Sequence, residues 1–325
     1  MYSVDNLRQI FLEYLNSNHL EDKPIRLYEP VNYIMGLGGK RLRPTMLLMG
    51  CQLFGGKVEA ALPAAYAVEV FHNFTLLHDD VMDDAPLRRG QATVHEKYDL
   101  NTAILSGDVM VFKAYQYLGQ IDNQLLPEIY AVFNQFAVEV CEGQQYDMDF
   151  ETSDNVAEGA YLKMIELKTS VLLAGAMKIG AIIGGASAKD ADHLAEFGRN
   201  VGIAFQLQDD ILDTFGDPEK FGKKVGGDIA QNKKTYLVIK ALELAGPEEK
   251  AVLEKQMATK EVKDEARKIE IVKGLFEKLA IREVAQEKME AYLSEGFRHL
   301  EALSISENKK KVLADFARTL ITREH

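Results

Sequence analysis

Two copies of one acidic pattern, Asp79-Asp80-Val81-Met82-Asp83 and Asp209-Asp210-Ile211-Leu212-Asp213, stand about 130 residues apart. With Asp84 and Asp217 these windows hold eight of the chain's 21 aspartates. Carboxylates packed this closely repel one another unless a cation holds them. Each group closes an apolar helical stretch, at the end where the helix dipole already disfavours anions, so stability alone does not place acids there. On a helix the first and last aspartates of each motif share a face one turn apart, with the second beside them. Mg²⁺ prefers a few carboxylates plus phosphate oxygens and retained waters. The expected chemistry is therefore Mg²⁺ carrying a diphosphate, with Asp79, Asp80, Asp83, Asp209, Asp210 and Asp213 as metal-binding candidates. Two such helices facing one another would clamp the diphosphate from both sides.

Calcium, zinc and nucleotide-loop chemistry fit these acids less well. The sequence has no Asp-x-Asp-x-Asp-Gly calcium loop, no paired-cysteine zinc spacing and no His-Glu-x-x-His element. A Gly-x-x-x-x-Gly-Lys-Ser/Thr phosphate loop is also missing, which argues against kinase or ATPase chemistry of that type.

The elements that must position these residues read as helices. Apolar residues recur at helical spacing from Leu7 to Leu15, and the Gly36-Leu37-Gly38-Gly39 break leads to a second helix from about Pro44 to Phe54. From Glu59 to Asp84 the chain is apolar nearly all round, the mark of a buried central helix that Pro86 terminates. Further helices are expected at 101–118, 125–147, 156–175, 176–184, 188–215 and 234–245, followed by a charged, solvated helical region. No linker rich in Pro, Ser or Gly divides the chain, so residues 1–325 read as one all-α domain, a bundle around a central cavity.

Composition agrees with that reading. Of the 325 residues 47% are apolar, ample for a core, and the net charge of -12 argues against general nucleic-acid binding. Cys51 and Cys141 alone imply no disulfide framework, which suits a cytoplasmic location. The N-terminus does not read as a signal peptide, and the longest apolar stretch, about Val171 to Ala186, is interrupted by Lys178 and too short to span a bilayer.

Alongside the acidic pair stand Gly38-Gly39-Lys40-Arg41-Leu42-Arg43-Pro44, His72, Arg88-Arg89-Gly90, Lys168-Thr169, Phe205-Gln206 and the Lys223–Thr235 loop. In this order, over about residues 36–236, the chain resembles the trans-isoprenyl diphosphate synthases, the farnesyl and geranylgeranyl diphosphate synthase family. The resemblance implies antiparallel helices around a deep cavity, a homodimer, and three Mg²⁺ ions. It implies that Asp79, Asp80, Asp83, Asp209 and Asp213 are the principal carboxylates, with Asp210 supporting them. Arg88, Lys168, Thr169, Gln206, Lys223 and Lys234 are then expected at an allylic diphosphate, and Lys40, Arg43, His72 and Arg89 at isopentenyl diphosphate. Gln144 and Asp147 match a supporting Gln-x-x-Asp pattern. Where relatives often have proline after the first lysine of the Gly222-Lys223-Lys224 loop, this chain has Lys224, which leaves open which lysine reaches phosphate.

The reaction so implied is a head-to-tail condensation that ionises the allylic carbon–oxygen bond and adds isopentenyl diphosphate to the resulting cation. Water must be excluded, and the Pro86–Val94 and Pro218–Lys234 loops are candidate lids. A five-residue step along a helix descends about 7.5 Å, which puts Phe74, with Phe71 and Thr75, below the first motif; in the family that the chain resembles an aromatic at the Phe74 position stops growth early, so the resemblance implies a fifteen- or twenty-carbon product. A terpene cyclase and a non-catalytic partner subunit are the competing readings. The intact second motif and the Gly39–Arg43 segment speak against the first, and two complete acidic motifs against the second.

Overall fold

The computed structural model describes residues 1–153, 155–217, 225–258 and 264–322. These residues form two compact units, Met1–Ala137 with Leu172–Ala195, and Val138–Val171 with Glu196–His325. The described residues are helical apart from one two-stranded hairpin and connecting turns.

The first unit contains α1 (Val4–Ser17), α2 (Ile25–Gly36), α3 (Leu42–Leu53), α4 (Val58–Met82), the hairpin β1 (Leu87–Arg88) and β2 (Gln91–Ala92), α5 (Val94–Lys97) and α6 (Leu100–Leu118). It also takes residues from α7 (Leu126–Thr152), α9 (Val171–Ile183) and α10 (Ala188–Phe215). Helix α4 is the central helix that the apolar run predicts, with Ala61, Ala64, Ala65, Val68, Phe71 and Leu77 all buried. Its alanines leave room for close neighbours, and α3 and α9 meet backbone to backbone: a Cβ at Gly50 would lie 2.8 Å from the Met177 carbonyl oxygen. Any side chain there would force these helices apart, which accounts for the glycines in so apolar a stretch. Helix α6 buries Ala103, Ser106, Gly107, Met110, Ala114 and Leu118. Its opposite face leaves Leu105 and Phe112 58% and 67% exposed.

The second unit packs α8 (Glu158–Ile165), the end of α10, α11 (Gly227–Ala230), α12 (Tyr236–Leu244), α13 (Pro247–Ala258), α14 (Glu265–Lys278), α15 (Ile281–Glu301) and α16 (Glu307–Ile321). Tyr161, Leu207, Ile211, Tyr236, Leu237, Val272, Phe276 and Ile281 form its core. The Asp264 side chain caps α14 by accepting from the Arg267 amide at 3.0 Å, one of the first-turn donors a helix leaves unsatisfied.

The structure departs from the sequence expectations in four places. Helix α2 and the hairpin are additional elements. The expected break near Gly175 does not occur, and α9 runs on to Ile183; the Phe136 ring occupies the space a Cβ at Gly175 would need, so the glycine serves packing instead of ending the helix. The chain breaks its α-helical register earlier, in a π-helical turn from Glu166 to Ser170 that joins α8 to α9.

Candidate active site

In the first unit, α4 carries Asp79 and Asp80 in its last turn and ends at Met82, with Asp83 as the C-cap. Asp80 is 3% exposed and accepts from Arg88 Nε at 2.8 and 2.7 Å, while Asp79 lies 3.5 Å from Arg88 Nη2. Burial raises the Asp80 carboxyl above its ordinary range, and the Arg88 hydrogen bond opposes that rise.

The hairpin aims Arg88. Arg88 pairs with Gln91 across a two-residue turn in which Arg89 and Gly90 have φ of 53° and 76°. Two positive φ values are what a tight hairpin of this hand requires, and a non-glycine residue adopts one only at a cost of ~1–3 kcal/mol. The turn is fastened at its base, where the Thr93 hydroxyl donates to the Ala85 carbonyl at 2.7 Å and the Thr93 amide to the Pro86 carbonyl at 3.1 Å. The Pro86–Val94 segment, a lid candidate in the sequence, is thus a braced hairpin.

Arg89 extends to the loop before α3. Its guanidinium donates to the Gly38 carbonyl and lies against Gly39, where a Cβ would stand 2.9 Å from it. Gly38 and Gly39 adopt φ of 83° and 118°, so here glycine is needed both for conformation and for space. Beyond them Lys40 is exposed, while Arg43 Nη1 sits 3.0 Å from His72 Nε2. Burial and then the nearby cations, Arg43 first, hold the His72 imidazole well below the usual histidine range. His72 is therefore neutral and accepts from Arg43. The Arg43 guanidinium is itself pushed down to about 10, chiefly by burial, and its buried Nε has no hydrogen-bond partner. A group of cations around a neutral imidazole, one with an unsatisfied donor, is arranged for an anion.

The histidine makes a measurable stability prediction. In the unfolded chain His72 takes up a proton as pH falls through about 6.5, and in the native fold it resists that proton. The native state should lose stability below about pH 6.5 at up to ~1.4 kcal/mol per pH unit from this group. Denaturant unfolding between pH 5 and 7 should show a shallower slope in His72→Gln than in the parent; identical slopes would remove His72 as its source.

In the second unit, Asp209, Asp210 and Asp213 lie in the last two turns of α10. Asp210 is turned inward and 4% exposed, accepting from the Tyr161 hydroxyl at 2.6 Å, Gln206 Nε2 at 3.3 Å and the Tyr236 amide at 3.4 Å. Burial pushes its carboxyl up to about 7 against the pull of these donors. Asp209 and Asp213 are more open, and Asp213 accepts from the Asp228 amide at 3.0 Å.

The π-helical turn presents Lys168 and Thr169. Lys168 Nζ lies 2.7 Å from Asp147, the anionic partner that a cation in an apolar stretch calls for, and the Thr169 hydroxyl lies 3.4 Å from Gln206 Oε1. Lys234 donates to the carbonyls of Phe150, Glu151 and Ser153 at the end of α7, the pole where a cation is favoured. Gln144 lies on α7 one residue after the buried Gly143. Lys223 and Lys224 lie outside the described residues, as does the 218–224 part of the second lid candidate.

The chain-length candidates divide. Phe71 is 2% exposed within a stack of rings, 5.4 Å from Phe133 and 5.9 Å from Phe136. Phe74 is half-buried, 5.5 Å from Phe71 and 4.8 Å from the His78 ring. The Thr75 hydroxyl donates back to the His72 carbonyl at 2.8 Å.

As a metal site, the donor set is carboxylate oxygen without thiolate. Among the described residues no three or more His, Cys, Asp or Glu side chains gather as a ready cage.

The fold has close counterparts. A crystal structure of a geranylgeranyl pyrophosphate synthase superposes with a TM-score of 0.95 at 46% identity, covering 100% of both chains. The geranylgeranyl pyrophosphate synthetase of Pyrococcus horikoshii gives 0.91 at 32% identity, covering 98% of this chain and 97% of that one. In sequence, the geranylgeranyl diphosphate synthase of Methanosarcina mazei is 40% identical over 311 residues, 93% of this chain and 91% of the relative. The all-α architecture is that of the isoprenoid synthases. The polyprenyl synthetase family model matches residues 24–275, and the chain belongs to that family. Among the described residues no helix is long and apolar enough to cross a membrane.

Proposed function

We propose that this chain condenses isopentenyl diphosphate head-to-tail with an allylic diphosphate, releasing diphosphate and a short-chain trans-prenyl diphosphate of fifteen or twenty carbons. The names of the relatives favour twenty. The observation that carries the reading is the Arg43–His72–Arg89 cluster on the same unit as the first aspartate motif. A terpene cyclase has no need of such an additional anion site.

Arg43, Arg89, Lys40 and neutral His72 hold the diphosphate of isopentenyl diphosphate, and holding it orients the double bond toward the allylic carbon. Arg88, Lys168 and Lys234, with Thr169 and Gln206, bind the allylic diphosphate, and Lys223 or Lys224 adds a further cation. Their fixed charges favour the leaving group as it becomes more anionic, stabilising the transition state over the ground state. Asp80 orients Arg88, Asp147 orients Lys168, and Asp210 anchors the second motif to Tyr161 and Tyr236. Asp79, Asp83, Asp209 and Asp213 are the carboxylates that would hold Mg²⁺, which supplies Lewis-acid stabilisation to the departing diphosphate. Three ions follow from the family resemblance. The released diphosphate accepts the final proton of the coupled product. A cytoplasmic location suits these soluble substrates. A homodimer would cover the α6 face that carries Leu105 and Phe112.

The test is turnover by the purified chain with Mg²⁺, isopentenyl diphosphate and each allylic starter, followed by product mass. Prenyl diphosphates of fifteen or twenty carbons are expected; cyclic hydrocarbon from the allylic substrate alone would favour a cyclase, and no turnover a non-catalytic subunit. Phe74→Ala should lengthen the products by one or more five-carbon units on chromatography, whereas an unchanged distribution would remove Phe74 as the floor.

A further inference from the structure

Arg41 lies next to the anion cluster, but its guanidinium is engaged by Glu69 and the Met35 carbonyl. It is the N-cap of α3 in a left-handed conformation, φ 49° and ψ 42°, directly after Gly38, Gly39 and the exposed Lys40. Its side chain is 2% exposed, pairs with Glu69 Oε1 of α4 at 2.5 Å and donates from Nη2 to the Met35 carbonyl in the last turn of α2. One guanidinium thereby ties α2, α3 and α4 together. Glu69 is 3% exposed at its side chain and is braced in turn, because Asn73 Nδ2 donates to its carboxylate at 3.2 Å and to its carbonyl at 2.8 Å. Glu69, His72 and Asn73 occupy adjoining positions of one helix, so the carboxylate that holds Arg41 is rigidly related to the imidazole that holds Arg43.

The charges show what the pair is for. Among the described residues, Arg43 and Arg89 form no ion pair; their contacts are His72 and the Gly38 carbonyl. Of these three arginines Arg41 is the one that pairs directly with the buried Glu69 carboxylate, whose charge also acts on Arg43 and Arg89. Removing one partner of a buried pair leaves an uncompensated charge, so Glu69 fixes Arg41 firmly. Arg41 itself holds a left-handed φ of 49°, a conformation that a non-glycine residue adopts at a cost, and its buried side-chain contacts hold it there.

We propose that Glu69 is a positioning residue for the isopentenyl diphosphate site, acting through Arg41 to set the Gly38–Arg43 backbone so that Lys40 and Arg43 converge on the anion. This rests on the function proposed above. Its prediction opposes simple electrostatics: deleting a nearby negative charge should tighten an anion, whereas loss of positioning should loosen it.

The experiment is steady-state kinetics with each substrate varied separately. With the parent chain active, Glu69→Gln is expected to raise KM for isopentenyl diphosphate tenfold or more while KM for the allylic diphosphate stays within twofold, and Glu69→Asp should recover part of the loss. An isopentenyl KM that falls or does not move, or equal rises for both substrates, would overturn the proposal. Should Glu69→Gln fail to fold, Asn73→Ala keeps the ion pair but removes its brace, and a several-fold rise confined to the isopentenyl KM is expected; no selective rise would overturn it. A parent chain inactive with both substrates present would instead reject the function itself.

Discussion

Asp79→Ala is expected to turn over about a thousandfold more slowly than the parent chain, at the upper end of what loss of one transition-state electrostatic contact costs, and to keep its thermal stability. The stability half follows from the partners of the first motif. Arg88 Nε is held by Asp80 at 2.7 Å, whereas Asp79 meets Arg88 only at 3.5 Å and is more exposed. Removing Asp79 leaves the part-buried Asp80–Arg88 pair intact. Asp80→Ala should behave differently, losing several kcal/mol of stability as well as activity, because a cation remains without the partner that aimed it. Circular-dichroism melting and turnover measured on both variants separate the two roles. Equal destabilisation by both would mean that Asp79 is structural.

The second large effect is expected at a glycine that touches no substrate. A Cβ on Gly143 would stand 2.7 Å from Lys168 Cα and closer still to the Lys168 amide, against the π-helical turn. Backbone cannot move aside as the end of a side chain can. Gly143→Ala should lower stability by ~1–3 kcal/mol through overpacking and shift the turn that presents Lys168 and Thr169. Because displacement by about 1 Å can cost about a hundredfold in rate, turnover should fall at least tenfold under conditions where the variant is fully folded. A folded variant with parental turnover would show that the π-helical turn does not set the position of Lys168.

The residues that carry charge at fixed spacing were legible in the sequence, and so were Asp80 and Asp147, but the other buried polar residues that hold the site were not. The 3.6-residue pattern places Asp79 and Asp83 one turn apart on α4, and Lys168 in an apolar stretch announces an anionic partner, which Asp147 supplies. The π-helical turn leaves no trace, because one extra residue in a helix changes no composition and only briefly shifts the period. The hairpin is hidden because its turn is Arg89-Gly90, without the Asn-Gly or Asp-Gly signal that usually marks such a loop. Glu69 and Tyr161 escape for a related reason: each is a polar side chain buried among apolar neighbours, and its partner lies on an element far away in sequence, while Asn73 only braces Glu69 one turn before it. A charged residue one turn before His72 in an otherwise apolar helix was the available signal for Glu69.

The proposed function requires that both aspartate motifs hold metal for one allylic diphosphate. Binding of Mn²⁺, in place of Mg²⁺, measured with and without a thio-substituted allylic diphosphate that ionises slowly, tests it most directly. Weak binding to the protein alone, strong tightening when the diphosphate is present, and loss of that tightening in both Asp79→Ala and Asp209→Ala are the predicted results. Mn²⁺ affinity indifferent to the diphosphate, or tightening that survives in either variant, would contradict the claim.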